Sequence, residues 1–253
     1  MTTAAHAVQV WLARESQLDD PAIFERCRAL MTPDERERRF LADGPRRLNM
    51  LARSMQRCVL ATLLSAAPGE LRFDLGGSGR PSLAAPWNAA GLDFNLAHTR
   101  GLVVLAVTRD ARLGVDVEEN RDKVPLAAAR RYFSAAEVES LDALPAAMQP
   151  RRFLRLWTLK EAYLKAIGTG IAGGLGSMTF RVDAGAPTFE RASDPGAPHW
   201  SFAQFDVDGH LLALACHAAG RAIDVDWREF TGGDSVAPAF RIRASGEEQA
   251  AEA

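Results

Sequence analysis

Apolar and polar positions along the chain follow two periods. Val8 to Leu12 reads as a short strand, and a helix is predicted from about Asp20 to Leu30. Thr32-Pro33-Asp34-Glu35 has the form of a helix start, with Thr as N-cap, Pro at the first helical position and Glu closing a capping box, so an arginine-rich helix is expected to follow. From Asn49 to Ala66, the residues Met50, Leu51, Ser54, Met55, Cys58, Leu60, Leu63 and Leu64 recur at helical spacing. Pro68 to Gly91 is rich in Gly and Pro and is expected to be loop, apart from a short strand at Leu71-Arg72-Phe73. Strands are predicted over 94–98 and 102–107, joined by a tight turn at Thr99-Arg100-Gly101, and again over 113–118. Helices are predicted over 125–132 and 134–144, the second opening on a capping box at Ser134-Ala135-Ala136-Glu137. The longest helix runs from Arg151 to Ile167 and stops at Gly168-Thr169-Gly170. The runs 178–182, 200–206, 211–216 and 223–227 read as a β meander, and the tail from about Gly232 as loose chain.

This order predicts an α+β protein of two similar halves joined near residues 108–113, although no residue-level repeat is visible. The expected division is an N-terminal α+β half over 1–110, a C-terminal α+β half over 111–232, and a flexible tail over 233–253.

Composition narrows the class. With 253 residues, 47% of them hydrophobic, the chain can bury a core and is not a disordered chain. Thirty basic residues against 32 acidic ones leave a net charge of -2, with no global footprint for nucleic acid. The apolar run from Gly101 to Val107 is too short to span a bilayer, so no membrane association is expected. Arg14 and Glu15 interrupt the apolar stretch at the N-terminus, which lacks a basic region ahead of it and is not read as a signal peptide. Cys27, Cys58 and Cys216 are far apart and odd in number, which suits reduced, mostly buried thiols in a cytoplasmic protein, and a monomer is expected. Charge is nevertheless uneven: nine arginines face four acids between Arg26 and Arg57. Of only three lysines, Lys123, Lys160 and Lys165, two fall in the 151–167 helix.

Four segments could carry chemistry. In Gly114-Val115-Asp116-Val117-Glu118, strand alternation puts Asp116 and Glu118 on one face. Their mutual repulsion would be relieved by a divalent cation, for which hard oxygen ligands suit Mg²⁺; the plain alternative is a solvated acidic face. On the 151–167 helix, Glu161 and Lys165 are four apart, either a surface ion pair or part of a site. Phe94-Asn95-Leu96-Ala97-His98 ends a strand on a histidine that is structural or functional. Gly76-Gly77-Ser78-Gly79-Arg80-Pro81 could bring backbone amides and Arg80 to an anion, or be only a flexible loop.

Together and in this order the segments resemble the Sfp-type 4'-phosphopantetheinyl transferases. The resemblance rests on GRP at 79–81, FNLAH at 94–98, GVDVE at 114–118, FSAAE at 133–137 and WTLKEAYLKAIGTGI at 157–171, and covers most of 32–180. It implies a fold of two α+β halves in pseudo-twofold arrangement with coenzyme A in the cleft between them. It also implies Mg²⁺-dependent transfer of the phosphopantetheine arm from CoA to a serine of an apo acyl or peptidyl carrier protein, releasing adenosine 3',5'-bisphosphate. By the same resemblance Asp116, Glu118 and Glu161 hold the metal, and Glu161 and Lys165 are catalytic, Glu161 taking the serine proton directly or through a water. Arg47, Arg53, Arg80, Pro81, Asn95, Ala97, His98, Asp116 and Lys165 line the CoA site, with Arg46 competing for the place given to Arg47. Ala97 stands where the family usually has Ser, at a cost of about 1 kcal/mol for one neutral hydrogen bond. Two other readings compete: a non-catalytic CoA- or carrier-binding protein, and another Mg²⁺-dependent diphosphate phosphotransferase. An acidic carrier is expected to dock on a positive patch at Arg151, Arg152 and Arg155.

Overall fold

The computed structural model describes residues 4–37, 42–77, 79–170, 174–183, 187–190, 199–232, 234–236 and 242–244. Its contacts divide the chain into two compact units: Val8–Asp110 with Val225–Ala239, and Ala111–Asp224 with Met1–Ala7 and Phe240–Ala253.

In the first unit, β1 (His6–Arg14) is followed by helices α1 (Pro21–Ala29), α2 (Pro33–Glu37) and α3 (Asp43–Leu64). The capping box expected at Thr32 forms: Glu35 N donates to Thr32 Oγ1 and Thr32 N to Glu35 Oε2. Helix α3 begins six residues before the apolar period does, because its first turns carry Gly44, Pro45, Arg46 and Arg47 rather than core residues. Pro45 is tolerated there since the first helical N–H groups have no partner within the helix. The helix ends on Ser65 in the left-handed region, φ 53°.

Within the expected loop over 68–91, β2 (Phe73–Leu75) pairs with β3 (Pro81–Leu83), so the strand read at 71–73 lies two residues further on. Strands β4 (Leu92–Thr99) and β5 (Leu102–Arg109) then form a hairpin that turns on Gly101, φ 85°. β5 is buried over seven of its eight residues because β1 and β4 flank it. Leu51, Met55 and Leu60 of α3 pack with Trp11, Phe94 and Leu105 of this sheet. Each such fully buried side chain contributes roughly 1.5–3 kcal/mol.

The second unit opens with β6 (Leu113–Glu119), then α4 (Leu126–Tyr132), α5 (Ala135–Asp142) and α6 (Gln149–Ile167). α6 stops on Gly168, φ 71°, whose N–H donates to the Leu164 carbonyl. Small strands β7 (Thr179–Arg181) and β8 (Thr188–Glu190) pair with each other and stay outside the larger sheet. That sheet is built from β9 (Trp200–Val207), β10 (His210–His217) and β6, with β13 (Ile242–Ala244) on the far edge of β9. Leu156, Leu159, Ala162 and Tyr163 of α6 pack with Phe202, Leu211 and Ala213.

Three expectations are corrected. The run at 223–227 does not extend this meander: β11 (Ile223–Thr231) lies beside β1 in a sheet of order β12-β11-β1-β5-β4, where β12 is Asp234–Val236. A C-terminal half running unbroken over 111–232 is therefore replaced by a division in which 225–239 goes with the first unit. Strands β12 and β13 also occupy part of the stretch read as loose tail, whose other residues, 233, 237–241 and 245–253, lie outside the described ones.

Candidate active site

The strongest cluster of chemistry lies where α6 crosses β6. Gly114 makes the approach possible: a Cβ added there would stand 1.9 Å from the Ala162 carbonyl oxygen and 2.7 Å from the Ala166 N. The close crossing places the face of β6 that holds Gly114, Asp116 and Glu118 against Ala162, Lys165 and Ala166 of the helix. Val115 and Val117, on the opposite face, are buried too. The alternative of a solvated acidic face does not hold for Asp116, which is only 7% exposed opposite Ala213 of β10, while Glu118 is half-buried.

Lys165 Nζ lies 2.7 Å from Asp116 Oδ1 and donates also to the Val115 carbonyl oxygen at 3.2 Å. Glu118 pairs with Arg121 at 3.0 Å. Asp116 Oδ2 and Glu161 Oε1 are buried without a hydrogen-bond partner. Burial pushes the Glu161 carboxyl above its ordinary range, the neighbouring charges of Asp116 and Glu118 add to this, and Lys165 opposes it. Glu118 is raised for the same first reason, burial, with Asp116 adding and Arg121 and Lys165 opposing. As they stand, no three His, Cys, Asp or Glu side chains among the described residues are gathered closely enough to hold a metal ion. Two unpartnered, buried carboxylate oxygens are nonetheless what a hard cation would satisfy, and leaving such groups unmet is costly. Carboxylate oxygens are the hard donors that suit Mg²⁺.

Lys160, the other lysine of the helix, is not part of this cluster. Its fully buried Nζ meets Glu137 Oε2 at 2.7 Å and donates to the carbonyls of Leu175 and Met178. Glu137 in turn closes the predicted capping box with Ser134 and accepts from Phe180 N. FSAAE and the first lysine of WTLKEAYLK are thus joined as a structural bolt inside the unit.

The remaining candidates belong to the first unit. Arg80 follows Gly79, φ 79°, and its Nη2 donates to both oxygens of Asp93 at 2.8 Å and to the Phe94 carbonyl at 3.3 Å. Arg53 and Pro81 line one cleft of about 930 Å³ together with Arg57, Arg72, Phe73 and Leu75. Arg47, paired with Asp19 at 2.6 Å, lines a separate cavity of about 450 Å³ with Arg28, Arg36 and Arg46. Asn95 and Ala97 are buried and His98 is exposed on β4. Arg57 and Arg72 were not singled out in the sequence. The arginine-rich stretch pointed to the first, and nothing local marked the second.

The expected docking patch on α6 is largely neutralised. Arg151 pairs with Asp206 at 2.5 Å, Arg152 with Asp183 at 2.9 Å, and Arg155 is buried against Gln204 and the Val182 carbonyl.

Comparison with known proteins places the chain in a class of transferases. The profile of the 4'-phosphopantetheinyl transferase superfamily matches residues 112–215, which include both β6 and α6. The 4'-phosphopantetheinyl transferase HetI of Nostoc sp. is 35% identical over 207 residues, 81% of this chain and 83% of that protein. The 4'-phosphopantetheinyl transferase Sfp of Bacillus subtilis is 25% identical over 196 residues, 77% of this chain and 85% of that protein. A crystal structure of the Thermotoga maritima holo-[acyl-carrier-protein] synthase aligns over 41% of this chain and 61% of that one, at 25% identity and a TM-score of 0.33. The chain belongs to the 4'-phosphopantetheinyl transferase family.

Proposed function

We propose that the chain transfers 4'-phosphopantetheine from coenzyme A to a serine of an apo acyl or peptidyl carrier protein, with Mg²⁺ held by Asp116, Glu118 and Glu161. The observation that carries this reading is the pair of buried, unpartnered oxygens on Asp116 and Glu161 beside the Lys165 ammonium. They stand on the two motifs that match the family, GVDVE and WTLKEAYLK. Bound there, Mg²⁺ would supply charge compensation for the diphosphate and for the leaving phosphate. In the transfer the serine oxygen bonds to phosphorus, the diphosphate P–O bond breaks, and adenosine 3',5'-bisphosphate leaves with that oxygen.

The chain's own residues bind, orient and move the proton. Glu161 accepts the serine proton, directly or through a water. Lys165 holds a phosphate oxygen. The family resemblance supports Arg47, Arg53, Arg80 and His98 as partners of the CoA phosphates and includes Pro81, Asn95 and Ala97 in the CoA site. No helix among the described residues is long and apolar enough to cross a membrane, and the three cysteines are free thiols. A cytoplasmic monomer is the working form within this proposal.

The test is incubation with CoA, Mg²⁺ and a panel of apo carrier proteins. A mass gain of about 340 Da on one of them is expected, the mass of the group transferred. Asp116→Ala and Glu161→Ala should each remove most turnover. Absence of any mass gain across acyl and peptidyl carriers, with folded enzyme, would overturn the proposal.

A further inference from the structure

Lys165 is paired with Asp116, one of the proposed metal ligands. Its Nζ is 2.7 Å from Asp116 Oδ1, while Asp116 Oδ2 and Glu161 Oε1 are buried and unpartnered. Glu118 is drawn to Arg121, so no set of three carboxylates is assembled among the described residues. Lys165 and Arg121 offset part of the negative charge of the cluster. We propose that Lys165 is the resident counter-ion of this site: a divalent cation takes Asp116 from it, the displaced ammonium passes to a phosphate oxygen of the ligand, and metal and diphosphate therefore bind as a coupled pair. The inference rests on the reading of Asp116, Glu118 and Glu161 as metal ligands and adds an order to it.

The physical reason is charge crowding. A divalent cation on Asp116 with Lys165 still in place would set two cations side by side in a partly buried site, where their repulsion is poorly screened. A lysine is suited to leaving, being a compact charge on a four-carbon stem with rotatable donors. Its side chain is 29% exposed, so it has a path to solvent or ligand. Leaving for water alone forfeits the ion pair, whereas a phosphate oxygen replaces it with another charge-assisted hydrogen bond. Metal and phosphate then each improve the other's affinity by the same factor, as linkage requires.

The experiment measures Mn²⁺ binding by the electron paramagnetic resonance signal of the free ion, on the full chain at one pH, with and without CoA. Wild type, Lys165→Met, Lys165→Gln, Lys165→Arg and Asp116→Asn are compared. Wild type should bind Mn²⁺ at least about fivefold more tightly with CoA present, within the usual range of coupling between sites. Both neutral variants should bind Mn²⁺ more tightly than wild type without CoA, by a similar factor, and should gain less than wild type on adding CoA. Lys165→Arg, which keeps the charge, should stay weak without CoA. Two neutral variants are used so that one poorly folded protein does not decide the result. Mn²⁺ affinity in the neutral variants that equals or falls below wild type without CoA overturns this inference alone, provided that Asp116→Asn abolishes the wild-type binding. If wild type shows no Asp116-dependent Mn²⁺ binding even with CoA, the metal assignment falls, and the inference with it.

Discussion

Gly114→Ala is the substitution with the largest consequence per atom added. The new methyl would lie 1.9 Å from the Ala162 carbonyl oxygen and 2.7 Å from the Ala166 N, both of them backbone atoms of α6. Ordinary carbon–oxygen contact is roughly 3.4 Å, so strand and helix must separate by about 1.5 Å, with no side chain able to rotate away in their place. Overpacking of a tight core costs about 1–3 kcal/mol, and occasionally more, and this contact belongs at the upper end. For a protein of this size, 3 kcal/mol is roughly a 6–12 °C fall in Tm. The functional effect should exceed the loss of folded protein. β6 carries Asp116 and α6 carries Glu161 and Lys165, so separating them opens the 2.7 Å Lys165–Asp116 contact. Misplacement of reacting groups by about 1 Å costs on the order of a hundredfold in rate. The assay pairs thermal melting with carrier-protein modification measured well below the lowered Tm, and kcat/KM per folded molecule should fall about a hundredfold. A variant that melts within 2 °C of wild type, or keeps wild-type kcat/KM, would refute the claim that this glycine sets the strand–helix distance at the site.

Two further outcomes follow from buried groups. Lys160→Ala leaves the fully buried Glu137 charge uncompensated and should cost about 3–5 kcal/mol, seen as a large fall in denaturation midpoint; a loss below 1 kcal/mol would show that the pair is not structural. Burial pushes the Cys58 thiol up to about 11 and raises Cys27 above its ordinary value, so both are protonated at neutral pH and their thiolates form only as pH climbs well above neutral. Alkylation of native protein at pH 8 should therefore be far slower than that of a free cysteine, and should rise about tenfold per pH unit. A rate at pH 8 equal to the unfolded chain's would contradict this.

Local signals in the sequence determined much of this molecule. Two capping boxes, at Thr32 and Ser134, form as their residue spacing requires, because both partners lie within one turn. The helix from Arg151 to Ile167 and its glycine stop, the hairpin at Gly101, and the alternation that pairs Asp116 with Glu118 are likewise short-range consequences of side-chain period and turn chemistry. Motif spacing was sufficient to name the family, since a ligand's charges select residue types that remain readable in one dimension.

Only the tertiary structure decided the rest. Whether β11 extends the meander of β9 and β10 or joins β1 depends on pairing across more than two hundred residues, which no local period records. The two lysines of α6 look alike in sequence. Packing sends Lys160 inward to Glu137 and Lys165 across to Asp116, because helical geometry turns them to different faces. Arg151 and Arg152 read as a free positive patch until Asp206 and Asp183, distant in sequence, are found against them. The role of Gly114 is visible only once α6 is in place: the absence of a side chain is a fact of sequence, but the backbone it makes room for is a fact of the fold.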